Sequence, residues 1–303
     1  MFSKINELYY EFGLSSKEEY MPSLDEALIT FGGKAYPKFG QVVILAGGAA
    51  SGKGFVRSKL LGIEGIVLDV DRLKELVMLS TKFSSKIEKL YGIEVSKLNL
   101  KNKDDVSKLH DVVSKLHIPD KRIKSIFTSL VTADHTRLPN LIFDVTMKDM
   151  TKFHNIIRQV QDMGYWKKNI SLVWVLNTID VAISQNSTRS RTVAEEILMA
   201  THDGASYTMS KIIKMGDNLS NYLDGDIYVA FNNSSVDTVV DKPKRPSEDG
   251  KVIKSKTSKP LVVKEANYVQ LKRKEEPIMK FEDISKDVIT KIKRYVPNSE
   301  VWN

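Results

Sequence analysis

An α/β domain is the fold class this sequence predicts, on three observations. Short apolar runs recur along the first 240 residues and end in an acid, an amide or glycine. Patterns with one apolar helical face lie between them. The first run leads straight into a glycine-rich turn and then a helix, in QVVILAGGAASGKG from Gln41 to Gly54.

That turn is the stretch around which the chain is organised. Val42 to Ala46 form a buried strand, Gly47 and Gly48 break it, and Phe55, Val56, Lys59, Leu60 and Leu61 begin an amphipathic helix. Gly47, Gly52 and Lys53 match G-x-x-x-x-G-K, the phosphate-binding P-loop without its final Ser or Thr. In such a loop (Gly47, Gly48, Ala49, Ala50, Ser51, Gly52, Lys53, Gly54) backbone N–H groups converge on phosphate oxygens. The helix start adds a positive dipole end, and Lys53 supplies charge for the β- and γ-phosphates. A dinucleotide-binding G-x-G-x-x-G does not fit, because Ala49 and Ala50 spoil its spacing and it has no use for Lys53. The expected ligand is a nucleoside triphosphate, ATP. In most P-loop enzymes a hydroxyl at the position of Gly54 ligates Mg²⁺. Two alternatives follow: a metal held by phosphates, water and nearby carboxylates, or a loop that binds nucleotide without turning it over.

Composition sets the bounds. A chain of 303 residues with 42% hydrophobic content is long enough for one large α/β domain with appendages. It has no cysteine, which excludes disulfides, a thiol nucleophile and cysteine-ligated zinc. The first residues, MFSKINELYYEFG, lack the apolar core of a signal peptide, and no run of about 18 apolar residues exists. The expectation is a soluble, cytoplasmic protein with no membrane partner. From Lys242 onward there are 16 Lys and Arg against 9 Asp and Glu, which is seven of the net eight positive charges. A basic segment of this kind binds nucleic acid or an acidic partner, or is simply solvated.

Taken in order, residues 1–40 are predicted helical. Ser16 with Glu19 and Ser23 with Glu26 form capping boxes, and Gly32 and Gly33 end the second helix. After the P-loop helix, Ile66, Val67 and Leu68 form a second strand that ends in Asp69, Val70, Asp71. Paired acids at that end of a strand suit a catalytic base or metal ligand. Asp71 also suits the N-cap of a helix from Arg72 to Leu79. Residues 80–138 are lysine-rich and helical in pattern, too long for a plain loop, and read as a helical lid or substrate-holding insertion. The two SKLH copies seven residues apart predict one helix buried along Val106, Leu109, Val113 and Leu116, with His110 and His117 on its surface.

A third strand, Leu141 to Phe143, ends in Asp144 before Val145, Thr146 and Met147. A helix follows over Met150 to Met163, and a fourth strand over Ile170 to Leu176 ends at Asn177 and Thr178. Arg189 and Arg191, in a Ser/Asn-rich stretch after the fourth strand, stand where nucleotide kinases place lid arginines against the transferring phosphoryl group. His202 and Asp203 follow the next helix, and a last strand covers Asp226 to Phe231, ending at Asn232 and Asn233. Residues 241–260 read as a basic linker. Residues 261–303 read as a basic amphipathic segment, with a short strand near Lys259 to Gln270 and a helix presenting Phe281, Ile284, Val288, Ile292 and Tyr295.

The P-loop, the strand ending in D-x-D, the strand ending in acid-x-Thr and the R-x-R after the fourth strand together resemble the zeta-toxin branch of P-loop kinases. That branch includes the zeta-like proteins of tailed bacteriophages, whose setting would be the host cytoplasm. The resemblance covers about Gln41 to Asn233 and is weak over 80–138. It implies a P-loop NTPase three-layer sandwich for 41–240, with a five-stranded parallel sheet of order 2-3-1-4-5. It also implies Lys53 on the β/γ-phosphates, Asp71 as the base for the acceptor hydroxyl, and Asp144 and Thr146 at the substrate or metal-bound water. Arg189 and Arg191 would clamp the phosphates, and Asp69 and Asp71 would be the carboxylates nearest the metal. The expected activity is transfer of the γ-phosphoryl of ATP to a hydroxyl of a nucleotide-sugar, nucleotide or nucleic acid. The alternative is an ATP-binding module, non-catalytic or slowly hydrolysing, that docks to nucleic acid or a protein assembly through its basic C-terminus.

Overall fold

The computed structural model describes residues 39–59, 61, 63–118, 121, 125, 126, 128, 137–189, 192–240 and 261–303. The expected N-terminal helices, the 241–260 linker and Arg191 therefore lie outside the described residues.

Six strands form one sheet: β1 (Val42–Ala46), β2 (Ile66–Asp69), β3 (Leu141–Val145), β4 (Ile170–Leu176), β5 (Ile227–Val240) and β6 (Leu261–Lys272). Their order is β2-β3-β1-β4-β5-β6. The first five are parallel, in the order 2-3-1-4-5. The expectation of five strands is corrected to six, because β6 turns back and pairs antiparallel with the outer edge of β5. An uncovered edge would present a row of unpaired backbone groups. Pairing with β6 also carries β5 well past its expected end at Phe231.

Every residue of β1 and β4 is buried, as strands inside a parallel sheet must be when both faces are covered. Alternation sends Val42, Ile44, Leu172 and Trp174 to one face, and Val43, Leu45, Val173 and Val175 to the other. On the second face lie Val56 of helix α1 (Lys53–Lys59), Leu61 and Ile63.

α2 (Val70–Leu79) follows β2 directly, so Asp71 is the second helical residue rather than the N-cap. With α3 (Thr81–Tyr91) and α4 (Lys103–Lys115) it encloses a small separate core of Val77, Ile87, Val95, Leu109, Val112, Val113 and Ile118. Leu109 and Val113 are buried as expected and Val112 joins them, while Leu116 is half-buried against the same core and Val106 is half-buried. The apolar stripe of such a helix is wide enough for the i, i+3, i+4 set of Leu109, Val112 and Val113. His110 and His117 are exposed.

On the first face, α5 (Met150–Asp162) buries Phe153, Ile156, Ile157 and Val160, one stripe of a helix capped by Asp149. After α6 (Ile179–Thr188), α7 (Glu195–Lys214) adds Met209, Ile212 and Ile213, and α8 (Lys286–Tyr295) adds Ile292 and Tyr295. His202 and Asp203 thus lie inside a 20-residue helix, not after one.

Residues beyond α8 return to the core. Trp302 is 1% exposed and stacks on Trp174 at 5.3 Å between ring centroids, and its indole N–H donates to Ser206 Oγ at 2.8 Å. Truncating so large a buried ring leaves a cavity, so W302A is expected to lower stability by about 3–5 kcal/mol in urea unfolding. A loss below about 1 kcal/mol would show that the C-terminus only rests on the domain.

Candidate functional site

The carboxyl ends of the parallel strands share one edge of the sheet, and the loop between β1 and α1 lies there. Gly52 has φ +89°, where glycine is strongly favoured, and a Cβ there would lie 1.7 Å from Asn232 Nδ2. At Gly48 a Cβ would meet the His202 ring at 2.1 Å, so that position is glycine for lack of space. Ala50 holds the left-handed conformation, with φ 56°.

Lys53 Nζ donates to the carbonyls of Gly47 at 2.8 Å and Gly48 at 3.0 Å, and stands 3.9 Å from Asp144 Oδ1. Arg57 Nη1 lies 4.0 Å from Asp144 Oδ2. Arg57 was not singled out from the sequence, though its place one turn after Lys53 puts it on the same face of α1. Asp69 pairs in register with Asp144 across β2 and β3, so the two carboxylates belong to neighbouring strand ends. Thr146, half-buried, follows β3 immediately. Asp71 lies in the first turn of α2, two residues beyond Asp69. The structure thus gathers Lys53, Arg57, Asp69 and Asp144.

Arg189 is exposed just beyond α6. Three residues on, Thr192 is fastened to the insertion. Thr192 donates its N–H to the Leu100 carbonyl at 3.1 Å and its hydroxyl to the Lys101 carbonyl at 3.2 Å. Among the described residues no group of three or more His, Asp or Glu is placed to hold a metal. Gly54 is exposed, with nothing within 4 Å of where a side chain would start.

The loop rests on α7. Ala49 donates its N–H to Thr201 Oγ1 at 3.0 Å, and His202 Nε2 lies 2.8 Å from the Ala49 carbonyl. A carbonyl only accepts, so Nε2 carries the proton. Ala50 packs with Ala182 of α6 and Leu198 of α7.

An interior strand ending in a glycine loop and Lys53, in a parallel sheet of order 2-3-1-4-5, decides the architecture. The chain has a P-loop NTPase fold. No family model and no curated protein matches it. It is similar to a structure from a characterisation of the PezAT chromosomal toxin–antitoxin system of Streptococcus pneumoniae. That likeness has 16% identity over 71% of this chain and 77% of that one, with a TM-score of 0.37. It is also similar to a crystal structure of AvrRxo1-ORF1:-ORF2 with ATP, at 11% identity over 86% of this chain and 73% of that one, with a TM-score of 0.40. No helix among the described residues is long and apolar enough to cross a membrane.

Burial holds His202 below the ordinary histidine pKa; the Ala49 carbonyl opposes this, and the Lys53 charge adds to it. Below about pH 6.5 an unfolded chain protonates this ring while the folded chain does not. Its contribution to stability is therefore complete above that pH and is lost as pH falls toward the lower folded value. In urea unfolding between about pH 7.5 and pH 5 the wild type is expected to lose more stability than H202Q. Equal losses would remove His202 as the source.

Proposed function

We propose that the chain is an ATP-dependent phosphotransferase that moves the γ-phosphoryl of ATP to a hydroxyl of a nucleotide-sugar, nucleotide or nucleic acid. The observation that carries this reading is the position of Lys53. Its ammonium sits over the loop on two carbonyls, with Arg57, Asp144 and Asp69 at the same sheet edge. An ammonium held only by neutral carbonyls and a distant carboxylate is ready to exchange them for the stronger charge of a phosphate. The loop amides would then bind the phosphates, and Lys53 would bridge the β- and γ-oxygens.

In the transfer step the acceptor hydroxyl oxygen attacks the γ-phosphorus and the bond to the β–γ bridging oxygen breaks. ADP leaves, and the hydroxyl proton passes to Asp71. Arg189 and Arg191 would neutralise charge as it spreads over the phosphoryl oxygens, and Asp144 and Thr146 would position the acceptor. Mg²⁺ is the metal this reading expects beside the phosphates. It would be held by Asp69 and Asp71 together with water and the substrate phosphates, and would lower the repulsion between phosphate charges.

Label transfer from γ-labelled ATP and Mg²⁺ to a panel of UDP-sugars, nucleosides, DNA and RNA tests the proposal. Label is expected on one acceptor class and to vanish with K53A. D71N is expected to keep ATP binding while transfer falls about 10²–10⁴-fold. Undiminished transfer by D71N would overturn the base assignment. Nucleotide binding without transfer to any acceptor would favour the non-catalytic reading.

The open space at Gly54 gives a second test. G54S restores the hydroxyl that other P-loops give to the metal, and is expected to lower the Mg²⁺ concentration for half-maximal transfer by about tenfold. An unchanged requirement would mean that the carboxylates and phosphates already complete the metal's shell.

A further inference from the structure

Five consecutive loop carbonyls each accept a hydrogen bond from a side chain. Lys53 serves Gly47 and Gly48, and His202 Nε2 serves Ala49 at 2.8 Å. Asn177 Nδ2 serves Ala50 at 2.9 Å, and Asn232 Nδ2 serves Ser51 at 2.9 Å. Asn177 follows β4, His202 lies in α7 and Asn232 in β5, so three separate elements converge on the outer side of one loop. We infer that Asn177, His202 and Asn232 are positioning residues that fix the peptide groups of the loop with their carbonyls turned outward.

A loop peptide can present either its N–H or its C=O to a bound anion, and only the first attracts it. Nothing within a glycine- and alanine-rich loop decides between the two, because such residues permit peptide rotation at little steric cost. The outside donors decide. Asn177 and Asn232 are fully buried and His202 is 2% exposed, so water does not compete for the carbonyls they hold. Lys53 is different in kind: it is partly exposed and is the donor that must leave when phosphate arrives. Once it has left, the carbonyls of Ala49, Ala50 and Ser51 remain held.

The two asparagines also carry a cost that shows what they are for. Among the described residues, Asn177 Oδ1 and Asn232 Oδ1 are buried with no hydrogen-bond partner. Space-filling alone would favour leucine, which is nearly isosteric and brings no unpaired oxygen. What an amide adds here is the N–H given to the loop. The glycines answer the same arrangement, since a Cβ at Gly48 or Gly52 would occupy the space of His202 or Asn232.

This inference rests on the nucleotide-binding reading for its consequence, tighter phosphate binding, and on geometry alone for the loop itself. Two measurements on the full chain separate them: amide hydrogen exchange of residues 47–53 without ligand, and affinity for ATP. H202L removes the donor and keeps similar bulk, while H202Q returns an N–H at the same reach. H202L is expected to raise loop exchange and weaken ATP binding, each at least about tenfold, with β1 exchange unchanged. H202Q is expected to recover at least half of each effect on a logarithmic scale. N177L covers the case of an unfolded H202L: loop exchange rises while the urea midpoint holds or increases. Loop exchange that ignores the donor in both series overturns the inference, whatever the ATP affinity. Exchange that follows the donor in a wild type that binds no ATP upholds the positioning role and overturns the nucleotide reading.

Discussion

A parallel sheet leaves neither face to water, and most of this molecule follows from that constraint. β1 and β4 are buried along their whole length, so apolar side chains alternate to both sides and each side needs its own cover. α5, α7 and α8 meet that need on one face, and α1 with Leu61 and Ile63 on the other. The same geometry sends the carboxyl ends of five strands to one edge. Gly47, Asp69, Asp144, Asn177 and Asn232 come from distant parts of the chain, and they share a neighbourhood because each ends, or lies near the end of, a parallel run.

At that edge the charges are arranged for exchange more than for rest. Lys53 and Arg57 flank Asp144 at 3.9 and 4.0 Å, longer than direct hydrogen bonds, so neither cation is committed to the carboxylate. Lys53 makes its short contacts to two neutral carbonyls instead. His202, buried and kept neutral, gives the loop a donor without placing a second charge beside Lys53. A neutral donor in a dry place and a charged one at the rim divide the work: one holds the loop, the other is available to a ligand.

The loop was legible in the sequence because its signal is local: an apolar run, glycines at fixed spacing, a lysine and a helical pattern. The strand ends at Asp69 and Asp144 were legible for the same reason. The sixth strand's place was not, because β6 pairs with β5 across residues 241–260 and its apolar pattern names no partner. His202 and Asn232 were unreadable as loop partners for a similar reason. A lone histidine inside a helix and an asparagine in a strand are ordinary, and their importance comes from the 153 and 181 residues of chain that separate them from the carbonyls they hold. The helix over the two SKLH copies was legible from its apolar spacing, and the structure adds Val112 to the buried Leu109 and Val113.

The basic C-terminal segment shows how charge counted along a chain can overstate charge offered to a partner. Lys272 is 3% exposed, donates to Asp224 Oδ1 at 2.7 Å and is also held by the carbonyls of Arg273 and Glu276. Lys291 lies over the Phe231 ring at 4.5 Å, Lys293 donates to the terminal Asn303 and Lys274 to Asn169. Those lysines fasten β6, α8 and the chain end to the domain. A truncation at 241 would also strip the edge of β5 and take Trp302 from the core. Loss of a partner after such a truncation would report the state of the fold. Only substitutions of exposed cations that leave these contacts in place can separate a basic binding surface from a segment whose charge serves the structure.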